Sequence, residues 1–265
     1  ETVTGMHLVM ELCSGGDLPD YLKSDALPDT LAASFNGQLL SGLEFVHSHD
    51  LVHCDVKPRN VLLTGRSNDE ITLKLTDFGL AHFCPRGERL HGAKGTPGYM
   101  SPQVLEGSFE RACDLWACGC VLFQCLRGHR LMKSDIRTTQ QQLAFIRSGA
   151  FYDAVVAPLT SLRRGCGALE ALLRRLLFRE ESDRWSADCA LNFLSEFRLF
   201  ERPMSSGSHS TSAAGVQAGC GVDFCVGDDR AVVPHARRWR SSRVPALAPV
   251  AEHGGNGIGL EAGFD

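Results

Sequence analysis

Long uninterrupted apolar runs are missing from this chain. No segment approaches the roughly 20 uncharged apolar residues that a membrane-spanning helix requires. The most apolar run, residues 115–126, fits a buried helix instead. An excess of charge of one sign is missing too. The 27 Lys and Arg against 31 Asp and Glu leave a formal charge of −4, so electrostatics give no reason to expect nucleic acid or an anionic membrane as partner. Paired metal-ligand spacing is also absent. Eleven cysteines are present, but Cys118 and Cys120 flank a single residue, Cys220 and Cys225 flank four, and no second matching pair follows. Cys113, Cys118, Cys120 and Cys125 share one apolar segment, where cysteine serves as a small buried hydrophobe in a reducing compartment. His47, His49 and Cys54 invite a metal-cluster reading but are read as polar loop groups. The chain opens at Glu1 with neither an initiator Met nor a secretory pattern. We therefore expect a truncated amino terminus and a cytoplasmic location, with a nuclear pool open.

What is present is an ordinary globular composition, 43% hydrophobic and 22% charged. Residues 6–13 form a short apolar run suited to a buried strand, and Ser14-Gly15-Gly16-Asp17 breaks it. A helix is expected to begin over residues 18–22. Residues 29–49 carry Leu31, Phe35, Leu39, Leu43 and Val46 at helical spacing. Val61-Leu62-Leu63 and Ile71-Thr72-Leu73-Lys74-Leu75 read as strands around a hairpin loop at 65–70. Residues 80–98 are polar, basic and glycine-rich, a long loop. Helical periodicity returns at 114–126, 140–146, 169–177 and 187–197. Beyond about residue 201 the composition shifts to Ser, Gly, Ala and Arg, and a disordered tail is expected. The fold class is α+β: a mainly helical lobe with one leading strand and a small hairpin.

Two short motifs carry the chemistry. His53-Cys54-Asp55-Val56-Lys57-Pro58-Arg59-Asn60 comes first, and Asp77-Phe78-Gly79 follows after an apolar stretch. An Asp, a Lys and an Asn at fixed offsets, then an Asp beside Gly, are what metal-assisted phosphoryl transfer requires. A carboxylate at Asp55 can orient an acceptor hydroxyl and take its proton. Lys57 can aim its ammonium at the transferring phosphate. Asn60 and Asp77 offer the hard oxygen donors that magnesium prefers.

These motifs resemble those of eukaryotic protein kinases, with Cys54 where most members carry Arg. Lys57 is then typical of Ser/Thr rather than Tyr kinases. Four further segments support the resemblance. Gly95-Thr96-Pro97-Gly98-Tyr99-Met100-Ser101-Pro102-Gln103 is similar to the end of the activation loop, and implies that Thr96 hydrogen-bonds Asp55 and Lys57. Asp114-Leu115-Trp116-Ala117-Cys118-Gly119 resembles the start of the central helix, with Asp114 bonding the backbone around His53. Arg184 resembles the partner of the acid in the Ala-Pro-Glu motif. Residues 10–18 look like the hinge, which would make Met10 the gatekeeper. The Glu11 and Cys13 backbone would then face adenine, Asp17 the ribose, and Leu62 the underside of the adenine ring. Gly95–Pro102, Asp114–Gly119 and residues 146–153 look most like the calmodulin- and calcium-dependent group.

Several departures qualify the resemblance. The Arg replaced by Cys54 normally receives a phosphorylated loop residue, and residues 80–95 contain no Ser, Thr or Tyr. Phosphate control of this loop is therefore not expected. Gln103 replaces the Glu that normally pairs with Arg184, which forgoes charge assistance. Arg59 and Gln124 stand where basophilic kinases often carry acids, so weaker basic selectivity is expected, with Asp17 as the one acidic contact left. No glycine-rich phosphate loop precedes the hinge, and Gly254-Gly255-Asn256-Gly257 does not replace it. Ala236-Arg237-Arg238-Trp239-Arg240 is basic with one aromatic, open to a disordered tail or a calmodulin target.

The resemblance implies a Ser/Thr protein kinase using ATP and Mg2+. Residues 1–200 would form a partial kinase domain (hinge plus carboxyl-terminal lobe) and 201–265 a tail. The catalytic set is Asp55, Lys57, Asn60 and Thr96, and the nucleotide side is Met10, Glu11, Cys13, Asp17, Leu62 and Asp77. Asn60 and Asp77 are the metal ligands. The partner is a protein with a Ser/Thr acceptor, with a calcium-linked regulator open. The alternative is a catalytically inactive kinase-like scaffold.

Overall fold

A computed structural model of the chain describes residues 8–65, 71–132, 136, 138–151, 155 and 167–200. The tail 201–265, the basic segment 236–244, most of the hairpin loop and part of 146–153 lie outside them. The described part is mainly helical, with three small antiparallel sheets.

Strand β1 (Gly16–Asp17) leads directly into α1 (Leu18–Leu22). Asp17 caps that helix, its carboxylate accepting from Asp20 N at 2.9 Å. Helix α2 (Asp29–Ser48) buries a face that includes Phe35, Leu39, Leu40, Leu43 and Val46, as the three-and-four spacing requires. It packs against α4 (Ala112–Arg127) and α7 (Ala187–Glu196). Helix α4 is buried almost all round, with Trp116, Leu115 and Leu122 at its centre. Its four cysteines are unbridged and buried, as expected, and burial pushes all four thiols up, Cys125 to about 12. Helix α4 ends at Gly128, where φ is +71° and an added Cβ would lie 2.5 Å from Ser24 O.

Strands β3 (Val61–Leu63) and β4 (Leu73–Leu75) form the expected hairpin, and β1 adds to its other edge with Asp17 opposite Leu62. The loop at 80–98 is more structured than its composition suggests. Strand β5 (His82–Phe83) pairs with β2 (Leu51–Val52), and β6 (Leu90–His91) pairs with β7 (Ser108–Phe109). Helix α3 (Pro102–Glu106) is capped by Ser101 and α5 (Thr139–Arg147) by a Thr138–Gln141 capping box. Helix α6 (Gly167–Leu176) adds Leu169, Leu172 and Leu173 to the core.

The leading strand is a correction. Residues 8–13 are not a strand, and Leu8, Val9, Met10 and Leu12 are exposed. An apolar run becomes a strand only beside an edge that takes its N–H and C=O groups. Residues 8–13 pair with no strand within the described part.

Candidate active site

The loop between β2 and β3 is fixed from beneath by a single carboxylate. Asp114, in the first turn of α4 and almost fully buried, accepts from His53 N and Cys54 N at 2.9 Å each, one bond per oxygen. Its Oδ2 also takes His47 Nε2 at 2.9 Å. Three donors on one carboxylate offset the cost of burying it. They also hold Cys54 at φ +66°, a left-handed conformation that a non-glycine residue adopts only when its surroundings impose it. His53 is oriented by two bonds. Its Nδ1 accepts from Asp55 N at 3.2 Å, so Nε2 carries the proton and donates to Thr76 O at 3.0 Å. That second bond ties the first motif to the second, and the Phe78 ring lies 4.8 Å from the imidazole.

Four side chains then close on one another. Lys57 Nζ donates to Asp55 Oδ2 at 2.6 Å and to Thr96 Oγ1 at 2.8 Å. The Thr96 hydroxyl donates to Asp55 Oδ1 at 2.7 Å. Asn60 Nδ2 donates to Asp55 O at 2.9 Å and Oδ2 at 3.2 Å. Asp55 therefore has both oxygens engaged and a fixed rotamer. Thr96 reaches it because Gly95, at φ +108°, lets the loop pass so close that a Cβ there would sit 2.4 Å from Cys54 O.

The magnesium donor set fits these residues. Asn60 commits its amide nitrogen to Asp55, which leaves the carbonyl oxygen as its ligand atom. Asp77 is exposed at φ +62°, with one oxygen accepting from Gly79 N at 3.3 Å. No cluster of three or more His, Cys, Asp or Glu occurs among the described residues, and magnesium held partly by phosphate oxygens needs only one or two carboxylates from the protein.

The nucleotide-side residues are less tightly assembled. Leu62 sits half-buried on β3, with Asp17 opposite it on one side and Lys74 on the other. Glu11 reaches that hairpin through Lys74 at 3.2 Å. Met10 and Glu11 are exposed and Cys13 is half-buried. Asp17 is already engaged, capping α1 with one oxygen while the other faces Arg59 Nη1 at 3.4 Å. A basic substrate group would compete with Arg59 for it.

Sequence reasoning missed two supports and misjudged a third. His47, read as a loop group, is buried against Asp114, and Arg111 holds its carbonyl at 2.9 Å. It lies on the apolar face of α2 with Leu40 and Leu43, where a polar group needs a partner. Gln142, buried on α5, accepts from Gly98 N at 2.9 Å and donates to Met100 O at 3.2 Å, so it fixes the segment that presents Thr96. Gln103 does more than replace an acid. Its Oε1 accepts from Arg184 at 2.9 Å while its Nε2 donates to Arg179 O at 2.8 Å. Arg184 also donates to the carbonyls of Phe178 and Ala112 and lies 5.3 Å from the Trp116 ring centroid. Burial pulls its pKa down to about 10, so it stays charged at neutral pH.

The family description "Protein kinase domain" matches residues 1–194, without setting apart a carboxyl-terminal lobe. The chain is 35% identical over 201 residues to serine/threonine-protein kinase unc-51 of Caenorhabditis elegans, covering 72% of this chain and 22% of that protein. It is 38% identical over 184 residues to serine/threonine-protein kinase ULK3 of Homo sapiens, covering 68% and 37%. Serine/threonine-protein kinase PEPKR2 of Arabidopsis thaliana matches at 34% over 187 residues, covering 69% and 37%. The chain thus spans well under half of these relatives. The calmodulin- and calcium-dependent assignment is not supported by them. On the match over residues 1–194 and the identities to these relatives, the chain belongs to the protein kinase domain family.

Proposed function

We propose that this chain carries the catalytic loop of a serine/threonine kinase, which transfers the γ-phosphoryl group of ATP to Ser or Thr hydroxyls of a protein. The observation that carries this reading is the closed set of Asp55, Lys57, Thr96 and Asn60. Asp55 receives the acceptor hydroxyl and takes its proton as the new P–O bond forms. Lys57 places positive charge beside the transferring group. Thr96 holds both in register, so the geometry exists before substrate arrives. Asn60 and Asp77 would hold Mg2+, which would supply positive charge to offset that of the phosphates. Leu62, Met10 and the Glu11 and Cys13 backbone would line the adenine side, with Asp17 near the ribose.

The substrate is a protein, and Arg59 beside Asp17 disfavours basic residues near the acceptor. The buried thiols of Cys113, Cys118, Cys120 and Cys125 are unbridged, which suits a cytoplasmic setting. No helix among the described residues is long and apolar enough to cross a membrane. A calcium-linked regulator has no support among the relatives.

The scaffold alternative rests on the exposure of Met10 and Glu11 on the nucleotide side. The test is transfer of labelled γ-phosphate by the full-length protein to a Ser/Thr peptide library, with and without EDTA. Magnesium-dependent labelling is expected. Nucleotide binding without transfer would favour the scaffold.

A further inference from the structure

Residues 80–95 hold no hydroxyl to phosphorylate, yet the loop lies against the lobe at several points. Cys84 N donates to Asp50 O at 2.7 Å, and Gly92 N donates to Gly107 O at 3.0 Å. The densest contact is Arg89. Its Nε donates to Ser108 Oγ at 2.9 Å and its Nη2 to Ser108 O at 2.7 Å. Nη1 meets Glu110 Oε1 at 2.8 Å, and Nη2 meets Glu181 Oε2 at 3.0 Å. Glu181 is itself held, its other oxygen accepting from Glu110 N at 2.8 Å. One guanidinium therefore joins the loop to β7, to the entry of α4 and to the turn before Arg184.

We infer that Arg89 is the positioning residue that sets the loop, doing permanently what a phosphate does reversibly. The polarity is inverted. In a phospho-switch the loop brings the anion and the lobe supplies the cation, at the position Cys54 occupies here. In this chain the loop brings the cation, and the lobe supplies two carboxylates. A thiol at Cys54 has no charge to offer an anion, and it shares its cleft with Lys94 and Thr96. The planar fork of Arg engages three residues at once, which a Lys at the same place could not do. The loop set by Arg89 continues directly into Gly95 and Thr96. The clamp therefore acts on catalysis by fixing the bonds from Thr96 to Asp55 and Lys57. The clamp itself rests on geometry; its effect on turnover rests on the kinase reading.

The test is hydrogen exchange on the full-length protein. Arg89→Ala should speed exchange of residues 84–92 by about tenfold or more while residues 112–127 keep their protection. Arg89→Lys should fall between, as should Glu110→Gln with Glu181→Gln, which leaves the two bonds to Ser108 in place. Phosphatase treatment of the wild type should change nothing. In turnover, Arg89→Ala should lower kcat on a peptide by about tenfold or more and move the KM for ATP by less than about twofold. Exchange at 84–92 that stays within about twofold of wild type in Arg89→Ala would overturn the clamp, as would faster exchange after phosphatase. A wild type that transfers no phosphate would sink the kinase reading and leave the exchange result standing.

Discussion

Asp114 shows how one buried side chain sets the chemistry of others it never joins. Its two oxygens receive His53 N, Cys54 N and His47 Nε2, and the loop they fix places Asp55. Asp114→Asn replaces an acceptor with an amide that must point a donor at another donor. Leaving a buried donor unpaired costs about 1–3 kcal/mol, so we expect a loss near 2–4 kcal/mol in chemical denaturation. Phosphotransfer should fall with it, because Cys54 would relax from its positive φ. The grouping of Asp55, Lys57, Asn60 and Thr96 was legible in the sequence, since the spacing of their motifs matches the family pattern. His47 and Gln142 were not, because their partners lie 67 and 44 positions away. A polar residue on an apolar helical face says that a partner exists and not which one.

Among the elements, the turn before α7 shows why a substitution cannot be valued from one bond. The exchange of acid for Gln103 suggested a weakened pair with Arg184. The amide instead uses both ends, on Arg184 and on Arg179 O. Gln103→Glu would gain charge assistance at one end and set a carboxylate against a carbonyl at the other. We expect its stability to stay within about 1 kcal/mol of wild type in urea titration. Arg184→Met should cost about 3–5 kcal/mol, because it strands several buried acceptors. The helices themselves were legible to within a few residues, since α2, α6 and α7 announce their buried faces by periodicity and α4 its full burial by an apolar run. Residues 8–13 were misread for the opposite reason: a strand depends on its neighbour, and an apolar run does not say whether one is there.

For the molecule as a whole, burial of thiols makes a pH signature. Cys113, Cys118, Cys120 and Cys125 are all raised above their ordinary value of 9.0, Cys125 to about 12, and Tyr99 is raised to about 12. Above pH 9 the unfolded chain loses these thiol protons while the folded chain keeps them. The folded state then binds more protons, so stability falls as pH rises from about 9 toward 12, by up to about 1.4 kcal/mol per pH unit for each thiol. Thermal midpoints should be flat between pH 7 and 8 and drop steeply by pH 10. Cys125→Ala should flatten that drop. A midpoint unchanged at pH 10 would mean that these thiols ionise in place.

The central claim is that the closed set around Asp55 is a working phosphotransfer centre. Its most direct test is single-turnover phosphotransfer from Mg-ATP to a Ser/Thr peptide by the full-length protein and its Asp55→Asn variant, both shown folded. Asn keeps the shape and removes the proton acceptor. We expect the rate to fall by about 10²–10⁴ with nucleotide affinity nearly unchanged. A variant that transfers phosphate at the wild-type rate would contradict the account.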